Sequence, residues 1–314
     1  MIFKWQGVGM IRQRTTCSKS FHHSYFPPST LFLSGRNSMV ECQLPKLDVA
    51  GSIPVARSKT FMLSELNKTI QGLWVGPELS VMEQLSISSF LVNGHDYHLY
   101  VYDEVKNIPT GTVVKDANEI LPAAHVFQYK RSPSYAGFAN FFRYKLLLHR
   151  GGWWADTDIV CLKPFEFPDE YVFSSEINHR GREVVNCGAI KASAGSSVMA
   201  YAWKVCQKKN PGRLVWGETG PRLMAKAVRK FSLERYKQGS LVFCPVDYQE
   251  WRKVLEPGFK VSLDDRVFAI HLWNEMWRAA GQDKNAQYDQ SCLYEELKRA
   301  YLPLASAAPA LAMA

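Results

Sequence analysis

The apolar and polar positions of the chain become regular only after its first sixty residues. The run "IQGLWVG" at Ile70–Gly76 predicts a short buried strand that ends in glycine. Apolar side chains in residues 81–92 then recur at helical spacing, and Asn93-Gly94 predicts the end of that helix. The stretch "YHLYVYD" at Tyr97–Asp103 has the composition of a second strand. A strand, a helix and a strand with short links predict a βαβ unit whose strands are parallel.

The alternation of strands and helices continues to the end of the chain. Residues 134–150 predict a helix that Gly151 ends, and Pro221 predicts the start of another. The stretch "RVFAIHLWNEMW", residues 266–277, predicts a late strand that runs into an aromatic-rich loop, and residues 288–301 predict a last helix. We therefore expect an α/β fold with a central, mostly parallel sheet.

The first sixty residues carry no sustained helical or strand period. Within them, "GRNSMVECQLPKLDVAGSIPVARS", residues 35–58, resembles the conceptual translation of a bacterial transfer-RNA gene. We therefore expect that the authentic chain starts at Met62 and that residues 1–61 are a disordered extension from a reading frame begun too early. A natural disordered tail is the alternative. Residues 62–302 are expected to form one domain, and residues 303–314 a flexible tail.

The net charge of the 314-residue chain is +9, but most of it belongs to the N-terminus. Residues 1–61 hold eight Lys or Arg and two Asp or Glu, so the rest of the chain carries about +3. This distribution does not predict a nucleic-acid partner. No uncharged apolar run is long enough to span a bilayer. Five cysteines follow Met62 without a metal-knuckle spacing, and no signal peptide is apparent, so we expect reduced thiols in a cytoplasmic protein.

The candidate chemistry lies in "GGWWADTDIVCLKPF", which places Asp156 and Asp158 inside an apolar run. On an extended segment the two side chains share one face. Two adjacent carboxylates repel each other and raise a pKa unless a cation compensates, so without one we expect them to destabilise the fold. Mg²⁺ or Mn²⁺ suits oxygen ligands that also meet phosphate oxygens. A solvated turn is the structural alternative, but the apolar surroundings argue against it.

The longer stretch "FFRYKLLLHRGGWWADTDIVCLKPF" resembles the D-x-D sugar-binding region of the retaining glycosyltransferases of family 32. That family includes capsular-polysaccharide, mannosyl and alpha-1,4-galactosyl transferases. The matching positions are Arg143-Tyr144, Gly151-Gly152, Trp154, Asp156 and Asp158. The resemblance extends from about Gln71 to Tyr301 and includes "LWVG", "WGETGP" and "AIHLWNEMW".

The resemblance implies a GT-A, Rossmann-like fold and a hexosyltransferase that uses a nucleoside diphosphate sugar, UDP-linked, with retention. It implies that Asp156, Asp158 and Arg143 are the catalytic set. It also implies that Trp74 stacks on uracil, and the structural alternative is a core tryptophan. Asn140, one helical turn before Arg143, matches a position that contacts the donor sugar or phosphate. The family usually has aspartate there, so the identity of the donor sugar stays open.

Four further residues are candidates under this resemblance, and three of them also have a structural interpretation. Trp154 packs on the donor or is a core residue, and Asn186 lines the sugar site. His271 is a third ligand of the metal or diphosphate, or a hydrogen-bonded core histidine. Glu218 orients the acceptor or another ligand, or caps the helix that starts after it.

No residue stands out as a covalent nucleophile. We therefore expect front-face transfer, in which the acceptor hydroxyl attacks from the leaving-group side and the protein acts by positioning and electrostatics. The acceptor is expected to be a glycan or a lipid-linked glycan, handled in the cytoplasm, peripherally at the inner membrane face. The alternatives are a carbohydrate-binding or degenerate transferase domain and, more weakly, a phosphatase with an aspartate nucleophile. The phosphatase motif continues with glycine and a hydroxyl residue, whereas Ile159-Val160 follows here.

Overall fold

The computed structural model describes residues 64–302, with the exception of residues 131 and 263. The expected start at Met62, the N-terminal extension and the C-terminal tail therefore lie outside the described residues. The strands are β1 (Thr69–Leu73), β2 (Asp96–Val101), β3 (Val113–Asp116), β4 (Gly152–Ala155), β5 (Ile159–Cys161), β6 (Val172–Ile177), β7 (Glu183–Ala192) and β8 (Ala269–His271). The α-helices are α1 (Glu65–Lys68), α2 (Val81–Val92), α3 (Ala136–Arg150), α4 (Ser197–Cys206), α5 (Pro221–Lys230), α6 (Asn274–Ala280) and α7 (Leu293–Tyr301).

Six strands form the central sheet, in the order β3-β2-β1-β4-β7-β6. The first four are parallel to one another, whereas β7 runs antiparallel to both β4 and β6. The predicted βαβ unit is confirmed as β1, α2 and β2, with Ile70 beside Tyr97. β5 and β8 form a separate antiparallel pair, in which Ile159 lies opposite His271. The structure thus confirms the α/β class with a central, mostly parallel sheet that the GT-A fold requires.

Helices cover both faces of the central sheet. Successive side chains of a strand point to opposite sides, and in this sheet both sides carry apolar residues that need cover. In β4, Trp153 belongs to a core that includes side chains of α2 and α7. Its neighbour Trp154 belongs to a second core, built with α3, α4 and α5. A sheet that is buried on both faces leaves mainly the ends of its strands open to a ligand.

The glycine pair between α3 and β4 is required by the backbone. Gly151 and Gly152 have φ angles of 64° and 80°, which favour glycine. A Cβ atom on Gly151 would lie 2.5 Å from the backbone nitrogen of Ala194, so a side chain there would displace the chain. The tight turn leads α3 directly into β4. It therefore brings Arg143 on the helix close to the residues that follow the strand.

The late part of the chain differs from the sequence prediction. The strand there is short, Ala269–His271, and the predicted aromatic-rich loop is wrong in part because Asn274–Ala280 is helical. Trp273, the N-cap of this helix, has a left-handed backbone with φ 59°. Within residues 64–302, no helix combines the length and the apolar character needed to cross a bilayer.

A buried lysine joins α1 to the central sheet. Lys191 of β7 is 3% exposed, and its ammonium donates to Oδ1 of Asn67 at 2.7 Å and to the carbonyl oxygen of Phe167 at 2.8 Å. Both acceptors have a second donor. The indole N–H of Trp153 donates to Asn67 at 3.1 Å, and the Asn67 amide donates to Phe167 at 3.1 Å. Burial lowers the pKa of Lys191, which indicates that the charge is costly there.

We expect Lys191→Met to change the free energy of unfolding by less than about 1 kcal/mol, because both acceptors keep a donor and the cost of burying an ammonium disappears. Asn67→Ala should lower it by about 2–3 kcal/mol, because it removes the acceptor of two buried donors. Urea unfolding of both variants beside the wild type measures the difference. A Lys191→Met protein less stable than Asn67→Ala would contradict this account of the network.

Candidate active site

The two aspartates lie in the turn between β4 and β5, at the carboxyl end of a parallel strand. The N–H of Ile159 donates to the carbonyl oxygen of Asp156 at 3.1 Å. The prediction that Asp156 and Asp158 lie on an extended segment is therefore wrong. Their side chains come together because the chain turns there, and not because alternate residues of a strand share a face. Because β8 pairs with β5, His271 lies beside the same turn. Open α/β sheets generally bind ligands at this end of their strands.

Asp156, Asp158 and His271 form a cluster that can hold a metal ion. One carboxylate oxygen or imidazole nitrogen from each residue lies within 4.8 Å of the others. Two carboxylates and an imidazole are ligands that suit Mn²⁺, and with added phosphate oxygens also Mg²⁺. Among the residues that the structure describes, no second group of three His, Cys, Asp or Glu has this geometry.

Asp156 is held by a buried cation. The Arg143 side chain is 4% exposed, and its Nη2 lies 2.9 Å from Oδ1 of Asp156. The indole N–H of Trp154 donates to the same oxygen at 2.8 Å. Arg143 also donates to the carbonyl oxygen of Cys187. No described residue donates to Oδ2 of Asp156, and the side chain is 27% exposed, so this oxygen is available to a ligand.

Asp158 is held on both of its oxygens. Nε2 of His271 lies 3.3 Å from Oδ1, and the backbone N–H of Asn274 donates to Oδ2 at 2.8 Å. The left-handed backbone of Trp273 directs that N–H towards the carboxylate, and the Trp273 ring stacks on His271 with centroids 3.9 Å apart. A metal ion bound here would replace the contact between Asp158 and His271, and it would require the neutral imidazole.

The pKa shifts follow from burial and from these two cations. Burial raises the pKa of Asp156; the charge of Arg143 opposes that rise and the charge of Asp158 adds to it. Burial also raises the pKa of Asp158, but His271 and the Asn274 N–H outweigh it, so this pKa lies below its usual value. Burial lowers the pKa of His271, yet the Asp158 charge and hydrogen bond hold it well above its usual value.

The chain thus supplies a cation for each carboxylate, Arg143 for Asp156 and His271 for Asp158. This corrects the expectation that only a metal ion compensates the two carboxylates, although the charge of Asp158 still adds to the rise in the pKa of Asp156. Either carboxylate has a partner in the folded protein itself, and removing one leaves its cation behind in a largely buried position.

Two other predicted site residues lie around Arg143. Trp154 is 1% exposed, so its role in the structure is the indole contact to Asp156, and it offers no open face to a donor. Asn140 is 7% exposed and lies one turn before Arg143 on α3. Its amide nitrogen would be 3.1 Å from a Cβ atom on Gly220, so the Asn140 side chain meets the backbone that begins α5.

Asn186 lies on the other side of the cluster, close to His271. Its Oδ1 accepts from the N–H of Gly188, and its amide donates to Glu176. A Cβ atom on Gly188 would lie 2.8 Å from Oδ1 of Asn186 and 3.1 Å from Cε1 of His271. The glycine therefore leaves room for both side chains beside the turn.

Glu218 is held by Lys209 and by the backbone of Val215. Lys209 Nζ lies 2.5 Å from its Oε1, and this hydrogen bond, with one from the Val215 N–H, lowers the pKa of Glu218. An ionised Glu218 is a hydrogen-bond acceptor and not a proton donor. No contact joins it to Asp156 or Asp158.

Trp74 follows β1, next to β4 in the sheet, and is partly buried. Its indole N–H is buried and has no partner among the described residues. Nζ of Lys284 lies 5.8 Å from the ring centroid, and the same ammonium lies 2.6 Å from the carboxylate of Glu83 in the first turn of α2. Trp74 therefore has an aromatic surface next to a positive charge, at the same end of the sheet as the D-x-D turn.

Sequence reasoning missed three groups at the site. The Tyr97 hydroxyl is buried without a partner among the described residues, and the charges of Asp156 and Asp158 add to the rise that burial causes in its pKa. Glu176 fixes the amide of Asn186, and burial raises its pKa. Asn274 acts through its backbone. Tyr97 lies in a run that has the composition of a core strand, Glu176 has no motif around it, and a backbone N–H leaves no trace in side-chain patterns.

Two family models match the chain, and each match contains a part of the site. The "Glycosyltransferase sugar-binding region containing DXD motif" matches residues 80–177, which include Arg143, Asp156 and Asp158. The "Alpha 1,4-glycosyltransferase conserved region" matches residues 212–308, which include Glu218 and His271. Both are glycosyltransferase models, so the chain is a transferase, and they confirm the expected resemblance to family 32.

No curated protein matches the transferase. A structure titled "PaToxG Glycosyltransferase" is 14% identical, covers 74% of this chain and 84% of its own, and gives a TM-score of 0.39. The apo form of the glycosyltransferase GlyE from Streptococcus pneumoniae TIGR4 is 13% identical, covers 55% of this chain and 45% of its own, and gives a TM-score of 0.32.

We expect Asp156→Asn to lower the free energy of unfolding of the metal-free protein by about 1–3 kcal/mol, because Arg143 keeps its charge in a buried position. Glu250→Gln is the matched control, since it makes the same chemical change in the exposed pair with Lys253 and should cost less than about 1 kcal/mol. Chemical denaturation in the presence of a chelator measures both. Equal stability of Asp156→Asn and wild type would show that the ion pair with Arg143 is not holding the turn.

Proposed function

We propose that this glycosyltransferase moves a hexose, with retention, from a UDP-linked sugar to a glycan or lipid-linked acceptor, and that it depends on Mn²⁺ or Mg²⁺. The observation that carries the proposal is the cluster of Asp156, Asp158 and His271 at the carboxyl end of β4. The two aspartates lie in the region that matches a DXD transferase model, and the histidine lies in the region that matches an alpha-1,4-glycosyltransferase model. The donor atoms fit a divalent ion, and Oδ2 of Asp156 is open to one.

The residues have distinct tasks in this proposal. Asp156, Asp158 and His271 would hold the ion, whose positive charge would stabilise the negative charge of the leaving diphosphate. The charge of Arg143 favours the ionised form of Asp156 and holds its side chain in place, because a guanidinium group does not lose its proton. Asn140 and Asn186 are proposed to line the site of the donor sugar, where Asn186 is fixed by its contacts to Gly188 and Glu176.

The transfer itself needs no covalent nucleophile from the chain. The acceptor hydroxyl forms a bond to the anomeric carbon on the side from which the diphosphate departs, and its proton passes to a phosphate oxygen of the leaving group. The contribution of the protein is then positioning and fixed electrostatics. We further propose that the acceptor is met in the cytoplasm, at the inner face of a membrane, because lipid-linked glycans are presented there.

We expect wild-type protein to hydrolyse or transfer UDP-hexoses in the presence of Mn²⁺ and to lose this activity with a chelator. Asp156→Asn and Asp158→Asn should each lower the turnover by at least about a hundredfold, the scale of a lost electrostatic stabiliser. The assay is release of uridine diphosphate from a panel of nucleotide sugars, with Glu250→Gln as the control that keeps full activity.

Three results would contradict the proposal. Turnover that persists in the presence of a chelator would show that the activity does not need a metal ion. Binding of nucleotide sugars without any turnover would favour the carbohydrate-binding or degenerate alternative. Full activity of either aspartate variant would show that the D-x-D turn has no part in catalysis, provided that the melting temperature shows the variant to be folded.

We expect Trp74→Ala to weaken the binding of uridine diphosphate by roughly 5- to 150-fold, because a stacked base contributes about 1–3 kcal/mol. Trp74→Phe should keep most of the affinity, since the indole N–H of Trp74 has no partner to lose among the described residues. Calorimetric titration of folded variants measures this. If Trp74→Ala binds uridine diphosphate as well as wild type does, the base does not stack there.

A further inference from the structure

Trp216 is a large aromatic side chain that the fold leaves open. It lies in the segment Leu214–Gly220 that leads into α5, and half of it, 50%, is exposed. Its backbone is fixed, since Arg222 donates to its carbonyl oxygen. One side of the indole packs on Tyr129, with ring centroids 5.0 Å apart and planes inclined by 40°. The ring is therefore held in place from one side and free on the other.

Tyr129 connects Trp216 to the helix that carries the donor-site residues. Its ring is 6% exposed and packs on α3, where a Cβ atom on Gly137 would lie 2.9 Å from the Tyr129 ring. Gly137 is one turn before Asn140, and Asn140 is one turn before Arg143. The aromatic pair thus lies at the start of the helix that then carries Asn140 and Arg143, the partner of Asp156.

The segment that carries Trp216 is attached to α3 independently. The Tyr144 hydroxyl donates to the carbonyl oxygen of Thr219 at 2.8 Å, and Gly220 lies against the Asn140 amide. Only three residues therefore separate Trp216 from Gly220, whose backbone is in contact with Asn140. A side chain anchored in this way has a defined position relative to the donor site.

The loop that contains Tyr129 is also connected to the part of the site that holds Asp158. The N–H of Tyr129 donates to the carbonyl oxygen of Ser134, and the Ser134 hydroxyl donates to Glu275 at 2.7 Å. Glu275 follows Asn274, whose N–H holds Asp158. Tyr129 is therefore tied both to α3, which holds Asp156, and to α6, which holds Asp158.

The chemistry around Trp216 is that of a sugar-binding surface. A hexose has apolar C–H faces that pack on an aromatic ring and hydroxyl groups around its edge that need charged or polar partners. Two residues after Trp216, Glu218 is held ionised by Lys209, and both side chains are about one-third exposed. An open indole face beside a paired carboxylate and ammonium provides both kinds of contact.

A single exposed apolar residue usually has no function. Val114, on the edge strand β3, is also 50% exposed and lacks every one of the features described above. Trp216 differs because it stacks on a buried aromatic residue, because its segment is anchored to the donor-site helix, and because ionised side chains flank it.

We propose that Trp216, supported by Tyr129, is the platform on which the terminal sugar ring of the acceptor glycan stacks, with Glu218 and Lys209 as partners for its hydroxyl groups. This rests on the proposed function, and it names a sugar ring as the part of the acceptor that the enzyme recognises. A lipid portion of the acceptor would then lie beyond this subsite and would not be required for binding.

The test measures sugar binding separately from turnover. Methyl hexopyranosides and disaccharides, lactose and maltose among them, are titrated against wild type, Trp216→Ala, Trp216→Phe and the control Val114→Ala. Saturation-transfer NMR reports binding of the sugar with and without uridine diphosphate and Mn²⁺. We expect at least one sugar to bind wild type, Trp216→Ala to weaken it by about 5- to 30-fold, and Trp216→Phe to retain most of the affinity.

The same variants are then assayed with a UDP-hexose and the sugar that binds best. Trp216→Ala should raise KM for the acceptor sugar while the affinity for uridine diphosphate, measured by titration, stays within about twofold of wild type. Val114→Ala should leave all of these quantities unchanged. A merely structural role of Trp216 would lower the melting temperature and weaken nucleotide and sugar binding together.

The proposal is overturned if no sugar of the panel binds wild type, if Trp216→Ala binds sugar as well as wild type does, or if Trp216→Phe is as weak as Trp216→Ala. These failures differ from failure of the proposed function, which would appear as absent nucleotide-sugar turnover in wild type. If wild type binds a sugar, Trp216→Ala does not, and neither protein shows turnover, the stacking role of Trp216 is supported and the proposed transfer activity is contradicted.

Discussion

The site depends on the pairing of two largely buried carboxylates with two cations from distant parts of the chain. Arg143 lies 2.9 Å from Asp156, and His271 lies 3.3 Å from Asp158. Burial of unpaired charges at these positions would cost several kcal/mol each. The pairs are therefore a condition for placing two aspartates in an apolar turn, and whatever positions Arg143 and His271 also positions the chemistry.

The fold meets this condition with short connections. Gly151 ends α3 and starts β4 within one turn, so that a helix and the strand after it bring Arg143 and Asp156 together. His271 comes from far along the chain and is placed by the pairing of β5 with β8. Each of the two matched transferase regions therefore contributes one part of the cluster, the first region the aspartates and the second the histidine. Neither region could form the three-residue cluster without the other.

The sequence predicts the parts of this arrangement that have local periods or fixed spacing. The βαβ unit at the start of the domain, the helix that carries Asn140 and Arg143, and the glycine pair after it all follow from patterns in a few adjacent residues. The turn at Asp156 was not predicted, because an alternating apolar run has the same signature whether it is straight or bent between two short strands. The ion pairs were not predicted either, since the partners of Asp156 and Asp158 are 13 and 113 positions away and no local pattern joins them.

The same reasoning explains why the D-x-D turn can be stable in the folded protein before any ligand binds. Oδ1 of Asp156 is occupied by Arg143 and Trp154, whereas Oδ2 has no donor among the described residues. Asp158 accepts a hydrogen bond from the backbone N–H of Asn274, and a ligand can bind without breaking it. Its other partner is the imidazole of His271, which can lose its proton and bind a metal instead. The permanent contacts thus lie on the side of Arg143 and Asn274, and the exchangeable ones lie between Asp158 and His271. A divalent ion entering the cluster would meet one free oxygen and one replaceable cation, so that binding requires no rearrangement of the backbone that places them.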